Sequence, residues 1–345
     1  MTPGPGIART PLPQGFLASG VNCGVRRYRP DFGLIISDRP AVGAGVFTEN
    51  RFAAAPVHYC RSILPSASIR AIVTNSGQAN AATGPEGVEN NRQLAFEVAK
   101  ELECFPREVL IASTGVIGPQ LDMAKLVPAI PELVERATDT AENFSLAILT
   151  TDLVPKTVST ELKLSKGTVR ITGICKGSGM IHPNMATMLG YLLTDAIVPL
   201  GKAHAYLKEA VDVSFNMISV DGDSSTNDAV FLMANGASGV ALNTLEDEQK
   251  FEAALREIST LLAQSIAIDG EGATKLVEIR VKGAPDLATA RRAARGVTVS
   301  PLVKTAMHGE DPNWGRIIAR LGAEQVPEVA LSRLSLVMQG GATFC

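Results

Sequence analysis

Thr187 is the residue whose setting most suggests a nucleophile, and it lies in the segment KGSGMIHPNMATMLG, residues 176–190. A lysine and two glycines precede a proline, and Ala186-Thr187 then meets an apolar run that predicts a core strand over residues 188–198. A loop of this composition has few side chains, so it can present a hydroxyl at the mouth of the strand that follows. A plain turn ahead of a core strand has the same pattern, and spacing alone does not separate the two interpretations.

A threonine hydroxyl is a weak nucleophile and needs a nearby base. If the chain cut itself between Ala186 and Thr187, the new α-amine of Thr187 could be that base, because a free α-amine has a pKa of about 7.7–8.0. Cleavage would require attack of the hydroxyl on the preceding carbonyl, which the small side chain of Ala186 leaves unhindered. The sequence permits this mechanism without requiring it.

The composition is that of an ordinary globular protein. The 345 residues are 46% hydrophobic and 19% charged, with a formal net charge of −3, which predicts one large domain or two moderate ones and no affinity for nucleic acid. The five cysteines are scattered without a CxxC pair, the first 15 residues lack a signal-peptide core, and no run of about 18 apolar residues occurs. We therefore expect a reduced, cytoplasmic protein without disulfides, a zinc site or a membrane span.

Other familiar site patterns fail. GSGMIH does not have the spacing of a dinucleotide turn, GEGATK is not a phosphate loop, and no HExxH occurs. DGDSSTND (residues 221–228) resembles a calcium loop only in composition, so we predict a solvated turn for Asp221 and Asp223. SGQANAATG, after a predicted strand, favours an exposed turn, with the alternative that Asn75 and Asn80 face a pocket. No metal site is expected.

The elements that must position these residues are mixed helices and strands without regular βαβ alternation. The hydrophobic pattern predicts helices over 85–103, 202–217 and 245–266, a mainly helical stretch over 120–150, and a short helix over 285–295. It predicts a strand pair from Asp31 broken at residues 38–40, a strand over 69–75, a hairpin over 157–174, a strand over 275–282, and a loop over 305–316.

Taken together, several motifs in this chain resemble the ornithine acetyltransferase family of arginine biosynthesis. The resemblance runs from about residue 12 to residue 322, with the motifs in the order of the family. They are GFLASGVNCGVR and VGAGVFTENRFAAAPV near the N-terminus, followed by STGVIG, TTDLVPK, KGSGMIHPNMATMLG, VDGDSSTNDAVFLMANG, DGEGATKL and SPLVKTAMHGEDPNWGR.

The resemblance implies a chemistry for this chain. Self-cleavage would fall between Ala186 and Thr187, and Thr187 would accept an acetyl group from N2-acetylornithine and pass it to glutamate in a ping-pong reaction. Thr114 and Gly115 match the oxyanion-hole pair of the family. Thr150, Lys176 and Glu271 match its substrate-contacting positions. Taken singly, Lys176 or Glu271 would more often be a solvated charge, and Thr114 a turn residue.

The same resemblance implies an α/β fold, a layered α-β-β-α sandwich with two β-sheets between helices. Self-cleavage would divide it into two interwoven fragments, an alpha fragment 1–186 and a C-terminally short beta fragment 187–345. Family members assemble as two alpha and two beta fragments, so a heterotetramer is expected. No cofactor is expected, although acetyl-CoA is a second acetyl donor for some members.

The sequence departs from the family at two places. Leu153 replaces a threonine in TTDLVPK, and we expect this apolar side chain to pack. The family also continues well past ALSRLSLVMQGGATFC, with a tail that supplies an asparagine and a hydroxyl residue to the site, so we expect lower stability and weaker or absent activity. Two alternatives stay open here: an aminopeptidase or amidase with an N-terminal nucleophile, and an inactive relative that only binds ligands.

Overall fold

The computed structural model describes residues 9–182, 188–327 and 332–338, and the backbone of 342–344. Ten strands lie within these ranges. They are β1 (Phe16–Val21), β2 (Phe32–Phe47), β3 (Ser66–Gln78), β4 (Val109–Val116), β5 (Lys156–Leu164), β6 (Gly167–Lys176), β7 (Leu189–Thr194), β8 (Ala229–Ala234), β9 (Leu336–Met338) and β10 (Ala342–Phe344).

Ten α-helices lie within the same ranges, several of them joined to short 3₁₀ turns. They are α1 (Ala55–Ile63), α2 (Gly84–Glu101), α3 (Met123–Leu126), α4 (Ile130–Glu135), α5 (Glu142–Ala147), α6 (Leu200–Asp212), α7 (Leu245–Ile268), α8 (Leu287–Val299), α9 (Pro301–His308) and α10 (Trp314–Ala323). None of these described helices combines the length and the apolar character that crossing a bilayer requires.

Eight strands form one sheet in the order β4-β3-β2-β8-β7-β6-β5, with β1 added beside β2; β9 and β10 form a separate pair. The sheet is folded rather than open. Three inter-strand steps separate β3 from β7, about 14 Å in a flat sheet, yet the Thr74 hydroxyl lies 2.8 Å from the Tyr191 hydroxyl. The two halves of the sheet therefore face each other across a shared interior.

Three apolar clusters fill this arrangement. The central one joins the two halves of the sheet, with Phe16 of β1, Ile72 of β3 and Tyr191 of β7 all buried in it. One outer cluster packs α6 and α7 on β5–β8, and the other packs α2, α3 and α4 on β2–β4. The order helix, sheet, sheet, helix confirms the layered α-β-β-α sandwich, with both β layers supplied by one folded sheet instead of two separate sheets.

Several predicted elements are confirmed because their signals are local. The hairpin β5–β6 turns at Ser165-Lys166, where Leu164 pairs with Gly167. Helix α7 begins at an N-cap, with the Thr244 hydroxyl accepting a hydrogen bond from the Asp247 amide, an arrangement that satisfies one of the unpaired amides at a helix start. Helix α2 lies within one or two residues of its predicted ends.

Three sequence predictions are wrong. Residues 273–282 have no regular secondary structure, although Ile279 and Val281 are partly buried against α8–α10. The predicted break at residues 38–40 is an irregularity within one long strand, since β2 runs through it and only its pairing with β3 shifts between Ile36 and Ala41. The predicted loop at 305–316 contains the end of α9 and the start of α10.

Candidate active site

Three of the residues singled out in the sequence meet at one end of the folded sheet. Lys176 ends β6, and its ammonium donates hydrogen bonds to the hydroxyls of Thr150 (2.8 Å) and Thr114 (3.3 Å). Lys176 is only 4% exposed. Strand β4 supplies Thr114, and the loop between α5 and β5 supplies Thr150. The folding of the sheet thus brings together residues that are 26 and 62 positions apart in sequence.

This contact fixes how the two hydroxyls are used. An ammonium can only donate hydrogen bonds, whereas a hydroxyl has one proton to donate and lone pairs that accept. Thr114 and Thr150 must therefore both accept from Lys176, so the proton of each hydroxyl remains free to point at a substrate oxygen. Burial lowers the pKa of Lys176, and the nearby Asp152 carboxylate counteracts that effect.

Asp152 is buried next to this cluster and contacts Lys176 and the backbone on both sides of it. Its carboxylate accepts hydrogen bonds from the amides of Thr150 (3.0 Å) and Gly177 (2.7 Å), and it lies 4.0 Å from the Lys176 ammonium. Burial alone would raise the pKa of Asp152, but Lys176 and Lys156 together lower it to about 2. The Asp152 carboxylate therefore stays ionised at neutral pH, 4.0 Å from the Lys176 ammonium.

Lys156 extends this network to a second carboxylate. Its ammonium lies 2.8 Å from Asp152 Oδ1 and 2.6 Å from Asp269 Oδ2, and all three side chains are at most 5% exposed. Asp269 also accepts a hydrogen bond from the Leu153 amide, and its carbonyl accepts one from the Ser178 hydroxyl at 2.7 Å. The buried triad Asp152–Lys156–Asp269 ties the loop at 150–153 to the loop at 177–179.

Glu271 lies beside the loop at 177–179 and does not contact Lys176 directly. Its amide donates to the Ser178 carbonyl at 2.9 Å. Its carboxylate lies so close to Gly179 that a Cβ at that position would come within 2.1 Å of Glu271 Oε2. The structure thus places the predicted anionic residue beside the glycine segment that leads toward Thr187.

The predicted oxyanion pair, Thr114 and Gly115, lies at the end of β4 against β3. Gly115 has a φ of +131°, and a Cβ there would come within 2.2 Å of the Gly77 carbonyl carbon, so only glycine fits. The hydroxyl of the preceding Ser113 donates to Asn75 Oδ1 at 2.6 Å, and the Ser113 carbonyl accepts a hydrogen bond from the side-chain amide of Asn227 at 2.9 Å. These contacts hold the strand end in place.

Two polar loops were predicted to be exposed turns, and the structure confirms this for Asp221 and Asp223 only. Asn75 and Asn80 are both fully buried, so the exposed-turn prediction is wrong for them, and Asn75 supports the strand end that carries Thr114. Asp221 and Asp223 are exposed as predicted, although the Asp221 carboxylate also accepts from the amides of Met180 and Ile181. The second half of that loop, residues 225–228, is buried.

Sequence reasoning missed the supporting residues Asp152, Lys156, Asp269 and Asn227. TTDLVPK contains the first two, but nothing in its spacing indicates that they are buried together. Leu153, expected to pack, is 80% exposed, because its amide is turned inward to Asp269 and its side chain points to solvent.

Ala186 and Thr187 lie outside the described residues. The chain resumes at Met188, which is buried, and Leu189 of β7 pairs with Lys176 of β6. The strand that follows Thr187 in sequence therefore starts beside the Lys176 cluster. This agrees with the predicted core strand, although β7 is shorter than predicted.

One cavity lined by the described residues has a volume of about 510 Å³ and lies between α7, residues 271–279 and the helices α8 and α9. Of the five predicted site residues that the structure describes, only Glu271 lines it. Lys176, Thr114 and Thr150 do not line it; their polar cluster consists of a buried lysine and two half-buried threonines. Within the described ranges, no group of His, Cys, Asp or Glu side chains is arranged to hold a metal ion.

Comparison with known proteins gives consistent matches along the chain. The model of the ArgJ family matches residues 17–344. A protein of Chlorobaculum tepidum named arginine biosynthesis bifunctional protein ArgJ is 49% identical over 315 residues, which cover 90% of this chain and 78% of that protein. The protein of the same name from Thermotoga neapolitana is 48% identical over 316 residues, covering 90% and 79%.

Solved structures of related sequence are also similar to this chain. The crystal structure of ornithine acetyltransferase from Mycobacterium tuberculosis in complex with ornithine is 34% identical to this chain. The match covers 50% of this chain and 93% of that one, with a TM-score of 0.47.

Proposed function

The chain belongs to the ArgJ family, and on that premise we propose that it transfers the acetyl group of N2-acetylornithine to glutamate in arginine biosynthesis. As a family member it is an acyltransferase. The specific donor and acceptor, the ping-pong order and the self-cleavage are the proposal, and the arrangement around Lys176 supports them.

In this proposal the chain cuts itself between Ala186 and Thr187. The Thr187 hydroxyl then attacks the acetyl carbonyl of the donor, with its own α-amine as the base. A pKa of about 7.7–8.0 leaves part of such an amine neutral near pH 7, as general-base catalysis requires. The acetyl group rests on Thr187 as an ester, ornithine leaves, and the amine of glutamate attacks the ester.

The single observation that carries the proposal is the double hydrogen bond from Lys176. It leaves the protons of the half-buried Thr114 and Thr150 hydroxyls unused beside the buried Lys176. A hydroxyl proton aimed at a developing oxyanion contributes about 3 kcal/mol of transition-state stabilisation in a site of this kind. Thr114, with the Gly115 amide, is therefore assigned to the oxyanion of the tetrahedral intermediate.

Substrate recognition follows from the charges. An acetylated amino acid has a carboxylate, and ornithine also has a side-chain ammonium. In the proposal the Lys176 ammonium and the Thr150 hydroxyl serve the carboxylate, and the Glu271 carboxylate serves the ammonium. Charge-assisted hydrogen bonds of this type are stronger than those between neutral groups.

The remaining parts of the proposal concern assembly and donor. Cleavage would give an alpha fragment 1–186 and a beta fragment 187–345, and two copies of each would form a heterotetramer. The mechanism requires no cofactor, and acetyl-CoA would act, if used, as a second acetyl donor at the same threonine.

Denaturing electrophoresis of freshly expressed protein tests the central step. The wild-type chain should give two fragments of about 186 and 159 residues (345 minus 186). Thr187→Ala should remain one band and should lose acetyl transfer, because it has neither the attacking hydroxyl nor the new amine. Thr168→Ala, at an exposed position on β6, is the matched control and should be cut normally. A single wild-type band, or a cut Thr187→Ala chain, would contradict the proposal.

A further inference from the structure

Arg26 is a charged side chain that the proposed mechanism does not use, although it contacts the loop that carries Thr150. It lies between β1 and β2, in the loop of residues 22–31. Its guanidinium donates hydrogen bonds to two consecutive carbonyls, those of Leu149 and Thr150, the second at 3.2 Å. A guanidinium is planar and permanently charged, so its fork of N–H groups can hold two neighbouring acceptors in one fixed arrangement.

The backbone that presents Arg26 is itself fixed. Asp31 is fully buried, and its two carboxylate oxygens accept hydrogen bonds from the amides of Cys23 (2.7 Å) and Arg26 (2.6 Å). The side-chain amide of Asn22 donates to the Arg26 carbonyl at 3.1 Å. Because both backbone polar groups of Arg26 are bonded within the loop, its side chain starts from a defined position.

The stem of Arg26 packs near the other part of the site. Gly77 of β3 has a φ of +109°, and a Cβ there would come within 3.2 Å of Arg26 Cγ. Gly77 pairs with Gly115 of β4, the glycine beside Thr114 in the predicted oxyanion pair. One side chain therefore packs on the strand that supports Gly115 and binds the loop that carries Thr150.

The backbone of Thr150 is held from both sides as a result. Its amide donates to the Asp152 carboxylate at 3.0 Å, and its carbonyl accepts from Arg26. Its hydroxyl accepts from the Lys176 ammonium at 2.8 Å. Since packing covers Thr150 only in part, these hydrogen bonds set the direction in which its hydroxyl points.

We propose that Arg26 is a positioning residue for substrate recognition, which holds the Thr150 hydroxyl at a fixed place relative to Thr114 and Gly115. The inference rests on the proposed function and deepens it. Arg26 acts through the Thr150 carbonyl and needs no contact with the substrate. It sets the spacing between the hydroxyl that serves the substrate carboxylate and the pair that serves the oxyanion.

The first test is the KM for each substrate. Arg26→Met removes the donor fork and keeps an unbranched stem. N2-acetylornithine and glutamate both have a carboxylate for Thr150 to bind, so we expect both KM values to rise about 10-fold, as for the loss of a hydrogen bond to a charged group, with a smaller change in kcat. Arg26→Lys, whose ammonium cannot hold both carbonyls in one plane, should recover only part of this loss.

A double-mutant cycle separates positioning from general structural support. Thr150→Val removes the hydroxyl that Arg26 directs. If Arg26 acts through that hydroxyl, Arg26→Met/Thr150→Val should have the same KM values as Thr150→Val alone, because nothing is left to position. A purely structural contribution would instead multiply the two losses, as independent sites do.

Arg27→Met is the matched control. Arg27 is exposed on the same loop, and its guanidinium lies over the Tyr28 ring, 5.1 Å from the centroid. The substitution removes the same charge from the same loop but leaves the hydrogen bonds to Leu149 and Thr150 in place, so the KM values should equal those of the wild type. The urea midpoint of each variant is measured alongside, and Arg26→Lys takes the place of Arg26→Met in the cycle if the methionine variant does not fold.

Wild-type KM values for Arg26→Met, an equal rise for Arg27→Met, or losses that multiply in the double variant would overturn the role of Arg26. In each of these cases acetyl transfer by the wild-type chain would leave the proposed function standing. A wild-type chain that transfers no acetyl group would remove the proposed function, and this inference with it.

Discussion

Ion pairs in two regions of the molecule use the same chemistry in opposite surroundings. At the candidate site, Lys156 bridges Asp152 and Asp269 with side chains that are at most 5% exposed. In the C-terminal region, Lys275 pairs with Glu310 at a similar distance of 2.9 Å, but these side chains are 36% and 82% exposed. Water surrounds the second pair and stabilises each charge without the other.

The difference shows which contacts the fold depends on. Removing one member of a buried pair leaves an uncompensated charge, whereas an exposed pair gains little because water and salt screen it. The packing follows the same division. Three large apolar clusters fill the sandwich, while the C-terminal helices share a small cluster with five buried residues, among them Val297 and Leu321.

The largest expected effect comes from breaking the buried network. Asp152→Asn removes the charge that faces both Lys156 and Lys176, so the free energy of unfolding should fall by about 3 kcal/mol. Urea unfolding monitored by far-UV circular dichroism measures this loss. Acetyl transfer should also weaken, because asparagine has only one acceptor oxygen and the Thr150 and Gly177 amides bond to different oxygens of Asp152, so one of them loses its acceptor. An unchanged unfolding midpoint would show that the network contributes nothing to stability.

A smaller effect should appear in acid. The pKa of Asp152 is about 2 in the folded protein and about 3.9 in an unfolded chain. The folded state therefore gains stability from this group above about pH 4 and loses most of it as the pH falls toward 2, out of a total of about 2.6 kcal/mol. The difference in unfolding free energy between wild type and Asp152→Asn should shrink over that interval. A constant difference would contradict the low pKa.

The smallest effect should come from the exposed pair. Glu310→Gln removes the carboxylate opposite Lys275, whose ammonium also donates to the carbonyls of Met307 and His308. The urea midpoint and the acetyl-transfer rate should both equal those of the wild type within error. A loss as large as that of Asp152→Asn would show that exposure does not separate the two regions.

The sequence predicts those parts of the fold whose cause is local. Hairpin β5–β6 and helices α2 and α7 follow from periodicity, caps and a short turn. The strand predicted over residues 275–282 does not form, because alternation alone does not make a strand without a partner strand beside it. The folding of the sheet, seen in the contact of Thr74 with Tyr191, has no local signal at all.

The residues of the candidate site likewise fall into those that the sequence predicts and those that only the structure reveals. Thr114, Thr150, Lys176 and Glu271 were found through a family resemblance, and the structure brings the first three into direct contact and places Glu271 on the adjoining loop. Asp269 could not be predicted as a partner of Lys156, since 113 residues separate them. Asn227 and Asp228 lie in a polar run whose composition predicts exposure, and only the packing of β8 between β2 and β7 buries them.

The most direct test of the account is to incubate the purified chain with N2-acetylornithine labelled in its acetyl group, together with glutamate. We predict that the label appears in N-acetylglutamate, and that without glutamate it stays on the fragment that begins at Thr187. Label released only as free acetate would identify a hydrolase. Label that remains entirely on ornithine would contradict acetyl transfer.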